Sequence, residues 1–199
     1  MKLWREVTGF SDVMRGFIAF FIAVLMASPA WAEPVVVTEK SFKCLKEMTP
    51  VRGFFVDNIA GNLEGTVAVA KSKTGGVYPP GSVVQLFPNE VMIKREKGFS
   101  PVTKDWEFFE IDVSKDGSTI RKRGFADVKN RFGGNCFACH VQARPEWDMI
   151  CEEGHGCEKL PIGRGAVEAL QETDPRCKAN SATKAQKTKA WMIRALTPL

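Results

Sequence analysis

The stretch DWEFFEIDVSKDGSTIRKRG, residues 105–124, reads as two extended runs folded around a turn. Trp106, Phe108, Phe109, Ile111 and Val113 are aromatic or β-branched, the types that fit a pleated, half-buried surface. Asp116-Gly117 follows, a pair suited to tight hairpin turns, and TIRKRG leads back. Upstream lie GFFVDNIA, GTVAVAKS and GSVVQLFPNEVMIKRE, which read as further strands. Gly61-Asn62, Gly75-Gly76 and Pro79-Pro80-Gly81 separate them as turn signals. SFKCLKEMTPV predicts a short helix that Pro50 ends. Residues 125–140 turn helical, and RGAVEALQE at 164–172 predicts a helix. No internal repeat is visible. The expected class is α+β: a mainly antiparallel sheet with flanking helices and a C-terminal helical segment that carries two of the cysteines.

The chain starts with a lead-in closed by Arg15, an apolar run from Gly16 to Ala27, and Ser28-Pro29-Ala30-Trp31-Ala32. That is the layout of a secretory signal cleaved after Ala32. The run is shorter than the ~20 residues of a membrane span, so no stable span is expected after cleavage. Residues 33–177 then form a single domain, 178–199 a basic tail expected to fray, and the protein is expected in the periplasm of a Gram-negative host. Of 28 Lys+Arg and 23 Asp+Glu, the signal removes three and two, leaving a net charge of +4. This modest charge is spread out and accompanied by no base-stacking motif, so nucleic-acid binding is not supported.

Six cysteines meet an oxidising compartment. GGNCFACHVQARPEWD, residues 133–148, contains Cys136, Cys139 and one of only two histidines, His140. Zinc, a dithiol redox couple and covalent haem can all use such a group. Cysteines three apart share one face of a helical turn, so both reach one haem edge, and the next histidine serves as proximal iron ligand. Cys-x-x-Cys-His is the attachment signature of haem c. Structural zinc wants four ligands, and a thioredoxin-like dithiol wants a βαβ setting. The expected cofactor is therefore one covalent haem c held by Cys136, Cys139 and His140, with His140 on the iron. The remaining four cysteines allow three pairings, of which Cys44–Cys177 and Cys151–Cys157 is preferred.

A sixth ligand from Met48, Met92, Met149, Met192 or His155 would make an electron carrier; an open apolar face suits small ligands. Met92 sits in a strand-like run where core packing is the default, and His155 reads as an exposed loop histidine. Glu107 and Glu110 fall on opposite faces of one strand, so one of them is a candidate distal acid.

YPPGSVVQL, DWEFFEIDV and CFACH followed by WDMI, in this order, resemble the cytochrome P-460 family, which includes the cytochromes c′-beta. The resemblance spans roughly residues 50–162. It implies an exported, mostly antiparallel β protein with thioether cysteines at Cys136 and Cys139 and a proximal ligand at His140. In the hydroxylamine-oxidising members a lysine on the strand after the Pro-x-Gly turn is linked to the haem. Leu86 stands at that position, and Lys71, Lys73 and Lys94 are out of register. The departure resembles the c′-beta side of the family, with an apolar distal pocket built from Leu86, Phe87, Phe108 and Phe109. Expected partners are a small diatomic ligand such as nitric oxide, or a small nitrogen compound. A redox partner protein and a homodimer are left open.

Overall fold

The computed structural model describes residues 33–178 and 182–197. The signal expected in residues 1–32 lies outside them. A six-stranded sheet runs in chain order β1-β2-β3-β4-β5-β6, with every neighbouring pair antiparallel. Its strands are β1 (Thr49–Val51), β2 (Phe54–Asn58), β3 (Ser82–Phe87), β4 (Glu90–Lys94), β5 (Trp106–Ser114) and β6 (Gly117–Gly124). The helices are α1 (Leu63–Lys71), α2 (Cys136–His140), α3 (Arg164–Glu172) and α4 (Lys184–Leu196). The class is α+β, and among the described residues no helix is long and apolar enough to cross a membrane.

The β5–β6 hairpin forms as its sequence indicates, with Ser114 opposite Gly117 across Lys115-Asp116. Strands β2 to β5 alternate between two buried faces rather than one buried and one wet. Val56, Val84, Met92 and Phe108 are successive cross-strand partners in one row. They belong to the cluster that includes Cys136, and their face is the site face. Phe55, Val83, Val91, Ile93, Phe109 and Ile111 pack on the far face beneath Val35, Val37, Phe42 and Leu45. Burial on both faces explains the near-continuous apolar runs, which a half-wet sheet would break with polar residues.

Four expectations are corrected. GTVAVAKS is mostly helix: Asn62 caps α1, its side chain accepting the Gly65 N–H. Its buried positions, Thr66 and Ala70, are four apart on one helical face, so the Val-Ala alternation is not a strand signal. SFKCLKEMTPV, residues 41–51, contains one 3-10 turn, Leu45–Glu47; its Ser41 closes another that begins at Glu39, and Pro50 lies within β1. β1 is an edge strand, where a missing N–H is tolerated. The tail is a capped helix: Thr183 and Gln186 exchange hydrogen bonds at its start, and Ala190 is buried with Ala169 and Leu170 of α3. Only residues 136–140 of the helical reading at 125–140 are helix; α3 fills the expected 164–172.

Both preferred disulfides are present. Cys44–Cys177 closes a separation of 133 residues and Cys151–Cys157 one of 6. Beside the first, Asp174 accepts the Leu45 N–H at 3.0 Å and a two-pronged bond from Arg176.

Candidate functional site

Cys136, Cys139 and His140 occupy the short helix α2, whose start is organised by two asparagines. Asn135 accepts the Ala138 N–H at 2.8 Å while its amide reaches the carbonyls of Phe125 and Ala126. Asn130 gathers the N–H groups of Phe132 and Gly134, each at 2.9 Å. The Cys136 N–H donates to the Val128 carbonyl, which seats the helix on the site face. Phe137, exposed edges aside, packs on Phe108 and Phe125 with ring centroids 6.5 and 5.5 Å apart.

Among the described residues Cys136 and Cys139 are the two free cysteines. Burial, helped by Glu90 and Glu110, pushes the Cys136 thiol up to about 12. Burial and Glu158 raise Cys139 as well. A working dithiol couple needs a lowered thiol pKa, so this environment argues against redox exchange. A zinc site fares no better. Among the described residues, three or more His, Cys, Asp or Glu ligand atoms come close enough together to hold a metal only at Cys44, Asp174 and Cys177, two of which form a disulfide.

His140 is held from outside its own helix. Its Nδ1 donates to the Met149 carbonyl at 2.7 Å. A carbonyl can only accept, so the hydrogen is on Nδ1 and the lone pair on Nε2, the form that binds a metal. Burial holds the imidazole pKa down, which keeps the ring neutral. The ring lies against Phe108, centroids 5.4 Å apart.

The carbonyl that fixes His140 is itself fixed. Asp148 and Met149 both have left-handed backbones, with φ of 47° and 67°. The Asp148 carboxylate accepts Lys94 Nζ at 2.8 and 2.9 Å and the Tyr78 N–H at 2.9 Å. The Trp106 indole donates to the Asp148 carbonyl at 2.8 Å, and Lys94 Nζ also reaches the Lys104 carbonyl. Lys94 and Asp148 are buried, and burial pulls the Lys94 pKa down against the pull of Asp148. Gly76 donates to Glu146 just upstream, where a Cβ on Gly75 would fall 2.1 Å from the same carbonyl. Contacts from β4, β5 and the loop before β3 thus converge on Asp148, the residue next to that carbonyl.

The other expected site residues divide by face. Leu86 packs partly buried against the site-face cluster. Phe108 belongs to that cluster; Phe109 points to the far face onto Phe42, and Phe87 packs with α3 and α4. Met92 and Met149 are buried in the cluster with Cys136, whereas Met48 is on the far face and Met192 is exposed on α4. His155 is not an exposed loop residue. It is buried, stacked on Trp147 at 3.8 Å, and bonded through Nδ1 to the Ile150 carbonyl. Glu107 and Glu110 do take opposite faces, and both are buried. Glu107 is neutralised by Arg95 and Arg123 on the far face. Glu110 shares the site face with its cross-strand partner Glu90 and pairs with Arg121 at 3.3 Å.

Glu90, Lys94 and Asp148 were not singled out as a site group from sequence. Burial, with Glu110 adding repulsion, pushes Glu90 up to about 7, although its carboxylate accepts the Arg131 N–H at 2.8 Å. Asp148 sits within the WDMI word, but no spacing rule marks it as partner of a lysine 54 residues earlier. Compared with known proteins, the chain matches no family model, no curated protein and no solved structure.

Proposed function

We propose that this chain is an exported monohaem c-type cytochrome that binds a small ligand at a five-coordinate iron. The observation that carries the reading is the state of His140: its Nδ1 hydrogen is committed to Met149, its Nε2 lone pair is free, and both free thiols lie on the same helical turn. The residues fit the group. Cys136 and Cys139 would form the two thioethers and His140 the axial bond, with Met92, Phe108 and Leu86 supplying apolar surface beside them. Haem, when bound, supplies an iron that takes up diatomic molecules or exchanges single electrons. The protein's share is to hold the imidazole neutral and aimed, and to keep water from the porphyrin face. The resemblance to the cytochrome P-460 family, on its c′-beta side, supports the same reading, with Leu86 in place of the cross-linking lysine.

A second reading has an observation of its own. Glu90 and Glu110 form a carboxylate pair on the site face, and an acid that titrates near neutrality can pass a proton to or from a nitrogen substrate. A haem oxidoreductase acting on hydroxylamine-like compounds would use it. To separate the two, the holoprotein is mixed with nitric oxide and, separately, with hydroxylamine plus an electron acceptor. Reversible ligand spectra without turnover support the binding protein; turnover that falls in Glu90→Gln supports the oxidoreductase. Export to the periplasm, where such haem attachment takes place, belongs to the same proposal and agrees with the two disulfides.

A further inference from the structure

The C-terminal helix α4 is attached to the body by one side only. Ala190 and Ile193 face Leu170 and Ala169 of α3, and Arg194 donates to both the carbonyl and hydroxyl of Thr173. The opposite side contains the most exposed large apolar residues of the region: Trp191 at 68%, Met192 at 45% and Leu196 at 82% exposure. At 100° per residue, Trp191, Ala195, Met192 and Leu196 form one continuous outward strip. Lys187 lies along one edge of the strip and Lys184 at its start, both exposed; Lys189, also exposed, lies along the other edge with its Nζ over Gly165 of α3. From residue 175 to the C-terminus the sequence has six basic residues and no Asp or Glu. Two of the six are used internally, Arg176 on Asp174 and Arg194 on Thr173. The others are lysines.

We propose that this outward face of α4 docks on an anionic lipid bilayer, which the protein visits as a peripheral, non-spanning guest. The pattern fits a lipid interface: an apolar strip with an aromatic side chain enters the headgroup boundary while flanking lysines reach phosphates. A protein partner fits less well. A strip of three large side chains on one 13-residue helix falls short of the ~800 Å² per side of a stable interface, and lysine is depleted in interface cores. Lipid demands no matching shape, and α4 does not need the strip in order to pack. The inference is independent of haem.

The test is sedimentation of the full mature protein with vesicles of phosphatidylglycerol and phosphatidylcholine, or of phosphatidylcholine alone, at low and high salt. The expected result is binding to the anionic vesicles only, weakened by salt. Lys187→Gln and Lys189→Gln are each expected to lower the partition coefficient about fivefold. Trp191→Ser with Leu196→Ser is expected to remove binding while thermal unfolding stays unchanged. Equal binding to neutral vesicles, or anionic binding that survives the Trp191/Leu196 pair, overturns the proposal. So does absence of vesicle binding alongside a solution dimer that the same pair dissolves, or alongside retention on an immobilised acidic peptide. Those outcomes would assign the face to a second copy or to an acidic protein.

Discussion

The imidazole of His140 has one nitrogen spoken for and one free, and the molecule's proposed chemistry depends on which is which. Replacing the ring removes the free lone pair but neither thiol. His140→Ala is therefore expected to retain covalent haem and lose the proximal bond, seen as a changed ferrous spectrum. Met92→Leu is expected to leave the spectrum unchanged, because Met92 is a member of the Val56–Val84–Met92–Phe108 row. A spectral loss in Met92→Leu would place its sulfur on the iron and refute five-coordination. Glu90 gives a pH prediction. Its folded pKa, about 7, lies above the unfolded value near 4.5, so the folded state binds the proton more tightly. Stability is thus full below about 4.5 and falls as pH rises to about 7, by on the order of 2–3 kcal/mol. Glu90→Gln should flatten that slope in urea titrations run from pH 4.5 to 8; an unchanged slope would mean that another group causes it.

At the scale of elements, the segment 147–150 is set by β4 and β5, not by its own sequence. Asp148→Asn leaves Lys94 buried beside a neutral amide, with an expected loss of about 3–5 kcal/mol. Lys94→Met combined with Asp148→Asn should regain most of that stability, yet still loosen the Met149 carbonyl and shift the reduction potential of the holoprotein. A double variant with native stability and an unshifted potential would reduce the ion pair to a structural role. The sequence showed its elements unevenly, for physical reasons. Residues 105–124 were legible because an aromatic, β-branched run ends in the turn-forming Lys115-Asp116-Gly117 and a second extended run follows, although the turn itself is Lys115-Asp116 and Gly117 opens β6; 164–172 was legible because its apolar period is helical. GTVAVAKS was not: its Val-Ala alternation imitates a strand, while the deciding feature is the Asn62 cap. That Cys136, Cys139 and His140 share one short helical turn could be read from their spacing. The Lys94–Asp148 pair could not, because it joins residues 54 apart through a sheet whose register the chain does not announce.

For the whole molecule, the N-terminal turns and the C-terminal helices are stapled across the sheet. The 133-residue separation closed by Cys44–Cys177 contributes about 5 kcal/mol in the chain-entropy account, against about 2 kcal/mol for the 6-residue Cys151–Cys157 loop. Cys44→Ser with Cys177→Ser should accordingly lower the urea midpoint far more than Cys151→Ser with Cys157→Ser; the reverse order would show that the small loop, which positions His155, dominates. Both staples leave Cys136 and Cys139 as the free cysteines among the described residues, the pair proposed here for haem attachment. The most direct test of that assignment is the visible absorption spectrum of the mature protein, oxidised and dithionite-reduced, after expression with the haem-attachment machinery. The expected result is a haem that resists acid-acetone extraction and a broad, high-spin ferrous spectrum that sharpens with nitric oxide. Extractable or absent haem would contradict the central claim, and sharp low-spin bands indifferent to added ligand would make the protein an electron carrier with a sixth ligand of its own.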